Sequence, residues 1–147
     1  FNITLISHLS GGFYIRSGHP LLSSPTVNGP NLMPYGLASV RVPEVILRLL
    51  APVMGFPDGT LLPLALECDD LNLLKTVAMN TDTVLACADT ATTQEVETAK
   101  LFRLVVAGLP PMFSDMGVVS LKGRSFSPMA QFAVDFLMRW GEQQADA

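Results

Sequence analysis

Apolar and polar residues alternate at the start of the chain. Phe1, Ile3 and Leu5 stand against Asn2 and Thr4, the period of two that predicts a strand over residues 1–6. A bend over 8–12 and a second strand over 13–16 follow. Residues 17–34 are crowded with Gly, Pro, Ser and Asn, which fix or permit turn dihedrals. They predict a long connection with one short helix near 28–33. Residues 35–40 read as a short buried strand. Pro43 then opens a helix over 44–51, with Val45, Ile46, Leu49 and Leu50 at helical spacing and an acidic residue in its first turn. Residues 62–67 predict the next strand. Asp69 is read as the cap of a helix reaching Met79, striped by Leu71, Leu74, Val77 and Ala78. A strand over 83–88, a weak polar helix over 92–100 and strands over 101–106 and 116–121 come next. Ser127 caps a last helix that Pro128 begins. Met129, Phe132, Ala133, Phe136, Leu137 and Trp140 line one of its faces, and it ends near Trp140 in a polar, frayed tail. Strands alternating with helices predict an α/β fold with a largely parallel sheet.

Composition narrows the function classes. The 147 residues suffice for one domain with a real core. Apolar residues make up 49% and charged residues 15%, which excludes disorder and implies that some apolar surface is normally covered. The net charge is −4 and the nine Lys and Arg are scattered, so no cationic stripe exists to hold a phosphate backbone. No apolar run approaches the roughly 20 residues that span a bilayer. The start has no Met and no basic region, so it does not read as a signal peptide; it reads as the middle of a domain. Cys68 and Cys87 permit a disulfide by arithmetic, but free, mostly buried thiols in a reducing compartment fit better. Neither has the Cys or His companions that a zinc site needs, and no cofactor motif is present.

Candidate chemistry is sparse. His8 and His19 are the only histidines, and Ser7 or Ser10 could in principle pair with one of them as nucleophile. Neighbours on a strand point to opposite faces, however, so adjacency argues little for a dyad. His19 precedes Pro20, which favours a turn. Asp69 and Asp70 read as a helix cap and a solvated first-turn residue rather than a catalytic pair. The seven methionines are dispersed and suit gap filling. Two loops look suited to binding. Ser39, Val40, Arg41 and Val42 end a strand just before a helix, where a hydroxyl, a guanidinium and backbone amides could hold an anion; a solvated Arg41 is the equal alternative. Thr81 and Thr83, in Asn80-Thr81-Asp82-Thr83, offer hydroxyls to a ligand, although such residues also simply make good loops.

Three segments together carry a resemblance. They are Arg16-Ser17-Gly18-His19-Pro20-Leu21, then Glu67-Cys68-Asp69-Asp70-Leu71 leading through a helix to Asn80-Thr81-Asp82-Thr83, and the ending Met116 to Pro128 with Gly123-Arg124-Ser125-Phe126-Ser127-Pro128. In this order they resemble the C-terminal effector-binding domain of LysR-type transcriptional regulators. The resemblance implies a Rossmann-like lobe of a two-lobed, periplasmic-binding-protein-like domain. Residues 1–10 would be a crossover strand and 11–100 the second lobe. Residues 101–147 would be the return crossover with the last strand and helix of the first lobe. It further implies a small anionic effector, such as a carboxylate, held between lobes at Ser39, Val40, Arg41, Val42, Thr81 and Thr83. No enzyme activity, metal, cofactor or membrane contact is implied. DNA would be bound by a helix-turn-helix domain outside this chain, in a cytoplasmic protein. Most of the first lobe has no counterpart here, so apolar faces and strand edges should lack cover and the chain should form dimers or larger oligomers. The alternative is a two-lobed periplasmic-type protein binding a small organic acid. A small hydrolase or isomerase is a third class, for which no catalytic constellation appears.

Overall fold

The computed structural model describes residues 1–145. The chain divides into two compact units, one formed by Gly11–Met112 and the other by Phe1–Ser10 with the residues from Phe113 onward. Strand β1 (Asn2–Arg16) runs through both. It is one continuous strand of 15 residues, where the sequence predicts two strands separated by a bend. The Gly11-Gly12 pair reads as a bend in isolation, but antiparallel pairing of Gly11 and Gly12 with Ala88 and Cys87 holds it extended.

In the Gly11–Met112 unit the chain passes through α1 (Gly29–Leu32), β2 (Leu37–Ser39), α2 (Glu44–Leu50), β3 (Leu66–Glu67) and α3 (Leu71–Asn80). It continues through β4 (Val84–Ala88), α4 (Thr93–Glu97) and β5 (Leu101–Leu104). The strand order is β3-β2-β4-β1-β5. Pairing of β2 with β3 and with β4 is parallel, as βαβ units require, whereas β1 is antiparallel to both β4 and β5. The sheet is therefore mixed rather than largely parallel.

Side chains alternate across the sheet and build a core on each face. On one face Phe13, Ile15, Leu37, Val84 and Leu104 pack with Leu21, Leu32, Leu47 and Met54. On the other, Tyr14, Ala38, Leu85 and Leu101 pack beneath Leu74 and Ala78 of α3. The long connection is anchored at α1, where the Asn28 side chain accepts from Asn31 N–H and the Asn31 side chain accepts from Asn28 N–H. Gly36 precedes β2 with φ of 77°, and a Cβ there would stand 2.7 Å from that of Ala65. Only glycine fits that position.

In the other unit, β1 pairs with β6 (Met112–Ser120), and α5 (Pro128–Ala145) packs against β1. Gly141 makes this approach possible, since a Cβ there would fall 2.2 Å from the Ile6 carbonyl oxygen. The strand segments expected to have open edges thus pair with each other on one side. The expected open faces are present: Phe1 just before β1, Ile3 on it, and Met129, Phe132 and Phe136 on α5 are all more than half exposed.

Several boundaries move. Asp70, not Asp69, caps α3, accepting from Asn72 and Leu73 N–H at 3.0 and 3.1 Å, while Asp69 turns toward Arg41. The strand expected over 62–67 shrinks to β3, and the polar helix over 92–100 to α4, which ends at Glu97 and is followed by a left-handed Ala99 with φ of 53°. Helix α5 runs past Trp140 through residues expected to fray; Asp146 and Ala147 of that tail lie outside the described residues. Ser127 does cap it, accepting from Ala130 N–H.

Candidate functional site

Parallel pairing of β3, β2 and β4 brings the carboxyl ends of three strands to one rim. Ser39 pairs with Glu67 on one side and Ala86 on the other, so residues 39–42, 67–70 and 88–90 leave the sheet together. Ser39 is itself buried, and its carbonyl accepts from Cys68 N–H. Arg41 projects from this rim with 76% of its side chain exposed. It lies between Glu67 and Asp69, at 3.9 and 3.6 Å, distances that are ionic but too long for hydrogen bonds. Its guanidinium is therefore oriented by two carboxylates and retains donors for another anion.

The rim does not include Thr81 or Thr83. Leu37 pairs with Val84, and Val84 N–H donates to the Gly36 carbonyl, so residues 81–83 enter the opposite, amino end of β4. The five residues of β4 separate the two loops by roughly 16 Å. Sequence reasoning named both loops, and the strand direction sets them apart. The Thr81–Thr83 loop is also committed locally. Thr81 Oγ1 donates to the Val77 carbonyl and accepts from Thr83 N–H. The Asp82 carboxylate takes Arg16 Nε and Nη2 at 2.9 and 2.6 Å.

His19 completes this arrangement and has no solvent access for catalysis. Leu21 N–H donates to Nδ1 at 3.0 Å, so the proton resides on Nε2, which donates to the Asp82 carbonyl at 2.9 Å. The ring meets Tyr35 edge to face at 4.6 Å. His8 is on β1, where it pairs with Asp115 and stacks on Phe113. Among the described residues no group of acidic, His and Cys side chains could hold a metal ion.

A polar cluster at the end of β4 was not named from sequence. Tyr14 Oη donates to Asp89, Arg103 Nε donates to the same oxygen at 3.1 Å, and Arg103 Nη2 donates to the Gly11 carbonyl. Burial first, and then the bond to Asp89, push the Tyr14 hydroxyl up to about 12. Burial likewise pushes the neighbouring Cys87 thiol up to about 12, with Asp89 adding to the effect. Behind it Lys75 and Glu95 pair at 2.8 Å in a largely buried position, and this bond holds the Glu95 carboxyl below its usual range. The sequence signal for the cluster was the Gly11-Gly12 pair, because a Cβ on Gly12 would fall 2.9 Å from Arg103 Nε. Both cysteines are free thiols.

Two open grooves flank the unit. One, of about 320 Å³, runs between the Leu21–Val27 connection and the end of β5, at Leu104 and the following Val105. The other, of about 380 Å³, lies beside Asn80 and Lys100 at the amino end of β4. Neither is lined by Ser39, Val40, Arg41 or Val42. No helix among the described residues is long and apolar enough to cross a membrane.

Comparison with known proteins places this geometry. No family model matches the sequence. The chain is 30% identical over 132 residues to a Pseudomonas sp. protein named SDS degradation transcriptional activation protein; the match covers 88% of this chain and 42% of that protein. The chain thus spans less than half the length of this curated relative. Among solved structures it is similar to the effector domain of AmpR from Pseudomonas aeruginosa, with 13% identity, a TM-score of 0.68, and coverage of 99% of this chain and 68% of that one. It is also similar to the regulatory domain of CcmR from Synechocystis, solved with 2-PG, with 16% identity, a TM-score of 0.70, and coverage of 95% and 66%. The effector-binding domain of QuiR, solved with shikimate, matches with 14% identity, a TM-score of 0.67, and coverage of 96% and 66%.

Proposed function

Because the chain carries the mixed α/β fold of LysR-family effector-binding domains, we propose that it is the ligand-sensing part of a transcriptional regulator of that family. Its effector is a small organic anion, bound at the rim formed by Ser39, Val40, Arg41 and Val42. The relay from that rim to DNA runs through parts of the protein outside this chain, and the protein works in the cytoplasm as a dimer or larger oligomer. It performs no catalysis.

The observation that carries this reading is Arg41. It is an exposed guanidinium at the carboxyl ends of parallel strands, held by two carboxylates without being saturated by them. Related folds support the ligand class, since the CcmR domain was solved with 2-PG and the QuiR domain with shikimate. The Pseudomonas relative is named for activating SDS degradation. That name supports an alkyl sulfate, or an alkyl acid derived from one, as the effector class for this chain. Thr81 and Thr83 belong to the other end of the sheet, so the proposed site no longer includes them.

A thermal-shift panel of small organic anions tests the function, because a ligand that binds only the folded state raises its stability by about 2.7 kcal/mol at a hundredfold excess over Kd. At least one anion should raise Tm by several degrees, and Arg41→Gln should abolish the shift without altering the unliganded Tm. A panel with no shift, or shifts unchanged in Arg41→Gln, contradicts the assignment.

A further inference from the structure

Strand β1 enters the Gly11–Met112 unit through two consecutive glycines, Gly11 and Gly12. Glycine weakens a strand interior, because it has the most backbone freedom to lose and no side chain to pack. The ladder thins at the same point. Ser17 N–H donates to the Lys100 carbonyl at 3.2 Å, and in an antiparallel pair every second residue turns its polar groups to the partner. Ile15, Phe13 and Gly11 therefore turn theirs toward the β5 side, while Tyr14 and Gly12 turn theirs toward β4. Strand β5 ends at Leu104, opposite Phe13 and two residues short of Gly11. A side chain takes its place there: Arg103 Nη2 donates to the Gly11 carbonyl at 3.1 Å.

Two features aim this guanidinium. Gly12 gives it room, since a Cβ there would stand 2.9 Å from Arg103 Nε and 3.2 Å from Cζ. Asp89, the residue after β4, accepts from Nε at 3.1 Å and also from the Tyr14 hydroxyl. The ionic contact is open to water, with the Arg103 and Asp89 side chains 50% and 31% exposed. It therefore opens without disturbing the core, where Tyr14 and Ile15 are buried. We propose that Gly11 and Gly12 form a hinge in β1, and that Arg103, held by Asp89, is the latch that keeps it straight. A strand built only for rigidity carries β-branched residues and an unbroken ladder. Here backbone freedom and an openable side-chain bond coincide where β1 leaves one unit for the other. The hinge is a property of β1 and does not depend on which effector binds.

Native-state amide exchange, followed by NMR on the whole chain in urea below its unfolding transition, tests this. Amides released by local opening exchange at a rate independent of urea, whereas those released only by unfolding exchange faster as urea rises. Gly12 and Cys87 face each other across the ladder beside the latch and should show the first behaviour. Tyr14 and Ile15 should show the second. Raising NaCl from about 0.1 M to about 1 M shortens the screening length from about 10 Å to about 3 Å. At fixed pH this should speed exchange at Gly12 and Cys87 severalfold and leave Tyr14 and Ile15 unchanged. Arg103→Met should remove that salt dependence, and should speed Gly12 and Cys87 about tenfold more than it speeds Tyr14 and Ile15. A urea dependence shared by all four amides in the wild type overturns the hinge, and that measurement needs no variant to fold. Equal acceleration of all four in Arg103→Met overturns the latch, because Arg103 would then add stability and nothing else. Exchange at Gly12 and Cys87 that ignores salt in the wild type overturns the ionic hold by Asp89.

Discussion

Single residues decide much of the local geometry. His19 fastens the start of the long connection to the Asp82 loop through one hydrogen bond, while it accepts a second from Leu21 N–H and meets the Tyr35 ring. Its replacement by alanine removes both bonds and leaves a cavity, so His19→Ala should cost about 3 kcal/mol, read from urea denaturation. An unchanged midpoint would show that the contacts contribute nothing. The sequence did reveal His19 as a turn residue through the following Pro20, but it could not reveal the partner, which lies 63 residues away. Cys87 gives a second test. With its thiol pushed up to about 12 by burial, it stays protonated and unreactive in the folded protein at pH 8. In the unfolded chain the thiol ionises from about 8.5, so this group's contribution to stability is complete below that pH and declines as pH rises toward 12. Mass spectrometry after brief iodoacetamide treatment at pH 8 should find Cys87 unmodified until denaturant is added; rapid native alkylation would contradict its burial.

Elements were more legible than their pairings. Periodicity alone located α2, α3, α5, β2 and β4 to within a few residues, because each carries apolar residues at a regular period, whether or not the chain itself buries them. It missed that β1 is a single strand, since glycines that look like a bend are held straight by β4. It also grouped two loops that strand direction separates, because a sequence records the order of a loop but not which end of the sheet it faces. The Gly12–Arg103 contact provides an element-level test. A methyl group on Gly12 displaces the guanidinium from Gly11 and loosens its bond to Asp89. Gly12→Ala and Arg103→Met should each cost about 1–2 kcal/mol, and the double variant no more than the larger single effect. Additive losses would show that the two residues act separately.

At the scale of the whole molecule, the low charge content foretold the apolar faces of Phe1, Ile3, Met129, Phe132 and Phe136. Such faces associate in water, so sedimentation at tens of micromolar should show dimers or larger species, and Phe132→Ser/Phe136→Ser should shift them toward monomer. A monodisperse wild-type monomer would contradict that. The central claim is that a small organic anion binds at the carboxyl ends of β2, β3 and β4. Hydrogen exchange, with and without the best anion from the thermal panel, measures this most directly. The account predicts slowed exchange over residues 39–46 with no change over residues 80–83. Protection confined to residues 80–83, or none in either loop while Tm rises, would contradict it.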